Sequence, residues 1–155
     1  REMASGDSPA ARAAAVCARF RFSSRSTRMI RTLVAAGDRA AGLLAQGNPP
    51  ALEMHRFCDE LGELVPEALM LSLSRGPAPG SAHRQAVVQV WEYCRNVYGR
   101  HKDHPLVSGA DVCEVLGVPA GPEVGRWLRA VEEERARGGV RTRDEALEFL
   151  RRTAG

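Results

Sequence analysis

The residues best suited to binding chemistry lie at the start of a predicted helix late in the chain. Gly121 can serve as its N-cap, with Pro122 at the first helical position, where the missing N–H costs nothing. The next three amides, those of residues 123–125, would then lack intrahelical partners at the positive end of the helix dipole. A phosphate is one natural partner for such amides. The glycine at position 125 leaves the approach open, and Arg126 and Arg129 add positive charge on the same helix.

A structural explanation of the same residues is equally open. Gly125 would also let a neighbouring helix pack closely against this one. Glu123 could satisfy the helix dipole by itself, and its carboxylate would repel an anion. The residue types alone therefore leave phosphate binding and helix packing evenly balanced.

The segment before this helix predicts another helix and a sharp turn. Ser108 and Asp111 have the spacing of a capping box, with Asp in place of the usual Glu or Gln, so a helix should begin near Gly109. Gly117 can end that helix in the left-handed conformation, and Pro119 prevents its continuation. We therefore predict a helix, a Gly/Pro turn and a second helix near the carboxy terminus.

A cluster of arginines early in the chain is a second candidate for binding chemistry. The net charge of the 155 residues is only +3, but residues 1–50 carry eight Arg against three acidic residues. Five of these arginines are close together in the sequence: Arg19, Arg21, Arg25, Arg28 and Arg31. Such a cluster is one feature of nucleic-acid contact surfaces. More often a run of this kind is a solvated helix face, and the net charge alone does not require nucleic-acid binding.

Residues suited to catalysis or metal binding form no coherent set. His101 and His104 could make a metal pair, but no Cys lies near them and their connector, residues 99–105, is expected to be flexible. The glutamates at 132–134 would point in different directions from a helix, which favours a solvated face over a metal site. There is no phosphate-binding loop with Lys-Ser/Thr, no H-E-x-x-H and no G-x-S-x-G. We therefore predict no catalytic residue, no metal ligand and no cofactor in this chain.

Composition and cysteine usage indicate a soluble, cytoplasmic protein. Hydrophobic residues make up 44% of the chain and charged residues 26%, which is typical of globular proteins. No apolar run approaches the roughly 18 residues of a membrane span, and no secretory segment is visible near the start, so no membrane partner is expected. The four cysteines are far apart and form no C-x-x-C pair, so reduced thiols are predicted.

Apolar periodicity predicts an all-α fold, a multi-helix bundle in one or two small lobes. No stretch shows sustained period-two alternation of β-branched residues, which argues against a sheet. Residues 1–9 are small and polar and are expected to be disordered. Residues 10–104 are predicted to form a helical body, and residues 105–155 a helical tail.

Three helix boundaries are predicted from local signals. In the body, one helix is expected to start at a Ser24 cap and to end at Gly37. In the tail, Thr142 and Glu145 form a full capping box, so a final helix is expected to begin there.

Twelve residues of the last third of the chain follow one another in a distinctive order and spacing. They are Gly109, Asp111, Leu116, Gly117, Gly121, Pro122, Gly125, Leu128, Thr142, Glu145, Ala146 and Leu147. This pattern resembles the "tG-d-L…LG-pGP-vG-lL" core and "T-eEAl-L" helix in the tail of bacterial tRNA nucleotidyltransferases and poly(A) polymerases. Weaker resemblance extends upstream, where 18–34 is similar to the "RLrfSn…i-LV" passage after the HD-type region of longer members, and 55–63 to the helix that follows.

The resemblance does not extend to the catalytic parts of that family. The family's nucleotidyl-transfer head has a Gly-Ser segment and a D-x-D/E carboxylate pair for magnesium, and neither occurs here. The His-Asp dyad of an HD phosphohydrolase is also missing, since Ala35 and Ala36 stand where many relatives have histidines. The resemblance therefore implies the carboxy-terminal, RNA-facing portion of a larger enzyme, with magnesium and nucleotide bound only by the missing head.

On this resemblance, the expected role is to hold the sugar-phosphate backbone of tRNA or another structured RNA. The residues expected to do so are Arg21, Arg25, Arg28, Gly121, Gly125, Arg126 and Arg129. Whether the whole enzyme adds CCA or poly(A) stays open. The alternative is a helical structural or oligomerisation module that forms a homodimer and binds no RNA, with its glycines serving helix packing only.

Overall fold

The computed structural model describes residues 8–45, 47–74 and 80–154. Over these ranges the backbone is helical and contains no β-strand, so the prediction of an all-α fold is confirmed. The helices are α1 (Pro9–Arg19), α2 (Ser24–Ala45), α3 (Ala51–Leu61), α4 (Val65–Ser74), α5 (Ser81–Tyr93), α6 (Gly99–Asp103), α7 (Gly109–Leu116), α8 (Pro122–Arg137) and α9 (Arg143–Ala154). A 3₁₀ turn joins α3 to α4, and a π-helical turn, Cys94–Tyr98, joins α5 to α6.

The first helix begins at a side-chain cap. Ser8 Oγ accepts a hydrogen bond from the Ala11 N–H at 3.2 Å, and Pro9 occupies the first helical position. Residues 8 and 9 thus form the start of α1, although they fall in the segment 1–9 that was expected to be disordered. The rest of that segment lies outside the described residues.

Helix α2 is longer than predicted. The predicted end at Gly37 is wrong, because the helix continues to Ala45. Ala36, Ala40 and Leu44 are buried at a spacing of four residues, so the buried stripe runs on past the glycine. Burial of that stripe outweighs the cost of one glycine in a helix interior, which is about 0.5–1 kcal/mol relative to Ala.

Two other boundaries also differ from the predictions. The cap of α2 is Ser23, whose Oγ accepts a hydrogen bond from the Ser26 N–H at 3.1 Å, and Ser24 is the first helical residue. The connector predicted over 99–105 is helical as far as Asp103, because the π-helical turn carries the α5 backbone directly into α6.

The described chain divides into two compact units. One contains the chain up to Pro49 together with Phe57–Trp91, and the other contains Pro50–Arg56 together with the chain from Glu92 onward. Residues 92–104 therefore group with the segment from 105 onward. The predicted domains, a body over 10–104 and a tail over 105–155, stay a prediction.

In the first unit, α1 packs against α2, and α2 packs against α4. The buried residues of this unit come mainly from α2, α3 and α4. They are Ala36, Ala40, Leu43, Leu44, Phe57, Cys58, Leu61, Val65, Ala68 and Leu69, with Cys17 from α1 and Ala86 and Val90 from α5. Burial of this apolar surface holds α2 in place, and α2 carries three members of the arginine cluster, Arg25, Arg28 and Arg31.

In the second unit, α7, α8 and α9 pack against one another around a valine- and leucine-rich core. Its buried members are Val107, Val112, Val124, Val131, Val140, Ala146, Leu147 and Leu150. Val124 and Val131 lie seven residues apart on one face of α8, so the opposite face, with Arg126 and Arg129, is left towards solvent.

The predicted helix–turn–helix is present with its caps. The Ser108 N–H donates to Asp111 Oδ2 at 2.7 Å and the Asp111 N–H donates to Ser108 Oγ at 3.2 Å, which completes the capping box of α7. Gly117 ends α7 in the left-handed conformation with φ 64°. At α9 the Glu145 N–H donates to Thr142 Oγ1 at 3.3 Å, as the second capping box predicted.

Candidate nucleic-acid interface

The amino-terminal end of α8 has the predicted layout with one correction. Gly121 is the N-cap, with extended backbone and no side-chain cap, and Pro122 is the first helical residue. The Val124 N–H donates to the Gly121 carbonyl at 3.1 Å. The prediction that this amide lacks a partner is therefore wrong, because a tight first turn uses it internally.

The two glycines of this end face open space. A Cβ placed on Gly125 would meet no other atom within 4 Å, and one on Gly121 would meet only the Pro119 carbonyl at 4.0 Å. Close packing against α8 occurs instead at Gly109, where a Cβ would lie 3.3 Å from Val124 Cγ1. Within the described residues, helix packing therefore explains the glycine of α7 and not those of α8.

The arginines of α8 lie beside an opposing charge. Arg126 and Arg129 are exposed, and neither forms an ion pair with a carboxylate among the described residues. Glu123 and Arg126 line one shallow groove together with Trp127 and Ala130. An anion at this end would therefore meet one guanidinium and one carboxylate at close range.

The early arginines lie in the first unit. Arg21 is in the turn between α1 and α2, where it adopts φ 55°, and Arg25 and Arg28 lie in the first two turns of α2. Arg28 and Arg31 line one groove with residues of α1 and α2. Arg31 was part of the arginine cluster in the sequence but not of the predicted contact residues, although its spacing of three residues from Arg28 predicts the same helix face.

All of these early arginines are exposed and form no ion pair with any described carboxylate. Residues 8–37, between Asp7 and Asp38, contain no Asp or Glu. No carboxylate of this stretch can therefore pair with these four arginines.

Several arginines outside the predicted contact set are held by carboxylates. Arg56 donates to both carboxylate oxygens of Glu133, and Arg137 donates to Glu134 at 2.9 Å. Further arginine–carboxylate pairs among the described residues include Arg39–Glu60, Arg135–Glu132 and Arg143–Asp111. The arginines selected as candidate contacts form no ion pair with a described carboxylate. The same holds for Arg141, Arg151 and Arg152, which lie at the start and end of the α9 segment.

The His101 region resembles a polar cluster more than a metal site. His101 Nδ1 lies 3.8 Å from Glu132 Oε2, and the Arg135 guanidinium donates to the His104 carbonyl at 3.0 Å. Burial lowers the pKa of His101 and raises the pKa of Glu132, so each charged form is disfavoured. No group of three or more His, Cys, Asp or Glu suited to a metal ion occurs in the described part of the chain.

The seven predicted contact residues fall into two sets. Arg21, Arg25 and Arg28 belong to the first compact unit, and the four residues of α8 and its cap belong to the second. Within each set the residues lie close together in the chain, on one helix or in the turn next to it.

Of the helices that the structure describes, none is long and apolar enough to cross a membrane.

Two curated proteins are similar to this chain. It is 34% identical over 125 residues to the CC-adding tRNA nucleotidyltransferase of Thermus thermophilus, which covers 73% of this chain and 27% of that protein. It is 36% identical over 109 residues to the A-adding tRNA nucleotidyltransferase of Deinococcus radiodurans, which covers 66% of this chain and 25% of that protein. No family model and no solved structure matches the chain.

The chain is therefore a relative of tRNA nucleotidyltransferases over most of its length, and the resemblance that its motifs indicated is confirmed. It spans about a quarter of the length of the curated relatives it matches. That partial coverage fits a resemblance to the carboxy-terminal region of such proteins.

Proposed function

We propose that this chain binds tRNA or a similarly structured RNA through its sugar-phosphate backbone, as the RNA-holding part of a nucleotidyltransferase. The supporting observation is the division of the arginines. Those predicted to contact RNA are exposed and form no ion pair with a described carboxylate, whereas several others are held by carboxylates. The names of the two relatives support tRNA as the class of RNA that is bound.

The chemistry required is modest. Double-helical RNA presents phosphates and 2′-hydroxyls, so a protein recognises it by shape and charge more than by sequence. A guanidinium offers five N–H donors in a planar fork that matches a phosphate, and an unpaired one can donate without first breaking an ion pair. In this proposal the chain holds the RNA, and nucleotidyl transfer takes place in a catalytic head.

Fluorescence anisotropy of labelled tRNA with the 155-residue chain tests the proposal. Replacing Arg126 and Arg129 by Ala should weaken binding by about 10- to 100-fold at low salt, since each replacement removes an exposed phosphate contact with a net value of about 0.7–1.4 kcal/mol. The matched control is Arg39→Ala with Arg137→Ala, which removes the same charge from arginines already paired with carboxylates. The control should change affinity by much less, and circular dichroism should show both variants to be helical.

Two results would count against RNA binding. If the wild-type chain shows no anisotropy change with tRNA even at low salt, the proposal fails. If the wild-type chain instead forms a concentration-dependent dimer by sedimentation velocity and ignores RNA, the oligomerisation alternative replaces it.

A further inference from the structure

Two phenylalanines are exposed in the turn between α1 and α2. Phe20 is 68% exposed and Phe22 is 50% exposed, and Arg19 and Arg21 alternate with them along the chain. We call residues 19–22 the Arg-Phe turn. Large aromatic side chains are usually buried in globular proteins, so two adjacent exposed rings need a reason.

The Arg-Phe turn is held by its own backbone hydrogen bonds. The Phe20 N–H donates to the Val16 carbonyl at 3.1 Å, and the Phe22 N–H donates to the Cys17 carbonyl at 3.0 Å. Between them, Arg21 adopts the left-handed conformation that non-glycine residues rarely take. Cys17 is buried, so the turn is tied to the interior of its unit while both rings stay outside.

The charge around these rings favours a polyanion as their partner. The turn lies within the stretch 8–37, which has no Asp or Glu, and its two arginines are exposed without an ion pair to any described carboxylate. A partner that covers the rings must therefore accept several uncompensated guanidinium groups. RNA supplies both requirements, since its bases offer flat apolar faces and its phosphates offer negative charge.

We propose that the Arg-Phe turn binds unpaired nucleotides of the RNA, with Phe20 and Phe22 stacking on bases and Arg19 and Arg21 contacting the neighbouring phosphates. This inference rests on the proposed function and adds that part of the bound RNA is single-stranded. Bases in a duplex are already stacked on each other, so the rings can only engage nucleotides that are free of pairing. Stacking tolerates any base, so the turn binds unpaired nucleotides without selecting a sequence.

Substituting leucine for phenylalanine isolates the stacking. Phe20→Leu with Phe22→Leu keeps apolar side chains in the turn and removes the aromatic faces. With a labelled oligoadenylate of about ten nucleotides as the probe, this variant should bind about 10- to 100-fold more weakly than the wild type. Binding of a blunt-ended RNA duplex should change by about twofold or less, because it uses only phosphate contacts. The control is Met70→Ala, an apolar side chain that is 71% exposed on α4 and should affect neither probe.

The outcomes separate this inference from the proposed function. If the leucine variant binds oligoadenylate as well as the wild type, while the arginine variants still lose RNA, the stacking is refuted and RNA binding stands. If neither oligoadenylate nor duplex binds the wild-type chain, both fail. If sedimentation shows a dimer that Phe20→Ala with Phe22→Ala dissociates, and RNA binding is unchanged, the turn is a contact between copies of the chain.

Discussion

The salt dependence of RNA binding should report directly on the arginines of α2. The perturbation is Arg25→Ala with Arg28→Ala, both of which lie in its first two turns, exposed and unpaired with any described carboxylate. Each phosphate that a protein neutralises releases counterions and steepens the fall of affinity with salt. The slope of log K against log salt is about −0.9 per phosphate contact on a duplex. Removing two contacts should therefore make the slope shallower by about 1.8.

The expected size of the effect can be worked through for the five proposed arginines. If each neutralises one phosphate, the slope is about −4.5, and a fourfold rise in salt weakens binding about 500-fold. With three contacts left the slope is about −2.7, and the same rise weakens binding about 40-fold. The roughly twelvefold difference depends only on the two side chains removed, so it holds whatever other contacts the RNA makes.

Anisotropy titrations with tRNA between about 50 and 200 mM salt measure this slope. The control is again Arg39→Ala with Arg137→Ala, which lowers the net charge equally but removes ion-paired side chains. An equal loss of slope in the control would mean that only net charge matters. An unchanged slope in Arg25→Ala with Arg28→Ala would refute contact between this face and the RNA backbone.

Two further predictions address the second unit. Gly125→Ala should stabilise α8 by about 0.5–1 kcal/mol in urea unfolding, because its Cβ meets open space, and should weaken RNA binding if a phosphate approaches there. Asp111→Asn should change the pH dependence of stability. Hydrogen bonds from Ser108 and Arg143 lower the pKa of Asp111 from 3.8 to about 2, so the stability that this carboxylate adds is complete above about pH 4. It is lost as pH falls towards 2, so urea unfolding of variant and wild type should converge over that interval; a constant difference would contradict this assignment.

The features that could be predicted from sequence are the ones decided locally. The caps at Ser108 and Thr142 and the left-handed Gly117 each depend on residues within one turn of the chain. The end of α2 was mispredicted because a glycine costs little when buried residues continue beyond it. That balance is set by packing against another helix, which local signals do not contain.

The residue types of the candidate interface could be predicted from the sequence, but the ion pairs between arginines and carboxylates could not. Spacing indicated which arginines share a helix face, but only the fold shows which of them meet a carboxylate. Arg56 pairs with Glu133, which is 77 residues away in the sequence. Likewise the Val124 N–H was expected to lack an intrahelical partner, but it donates to the Gly121 carbonyl in the first turn of α8. The exposure of Phe20 also depends on tertiary structure, since aromatic residues are buried by default.

The division of the arginines explains how a chain with a net charge of only +3 could attract a polyanion. Several acidic residues of the second unit form ion pairs with nearby arginines, as Glu133 does with Arg56 and Glu134 with Arg137. Their charges cancel over a few ångströms and contribute little at the distance of a Debye length. The stretch 8–37 has no acidic residue, so its field is not cancelled in the same way. The net charge of the chain therefore underestimates the attraction of a polyanion to α2. It overestimates that attraction at the start of α8, where Glu123 lies beside Arg126.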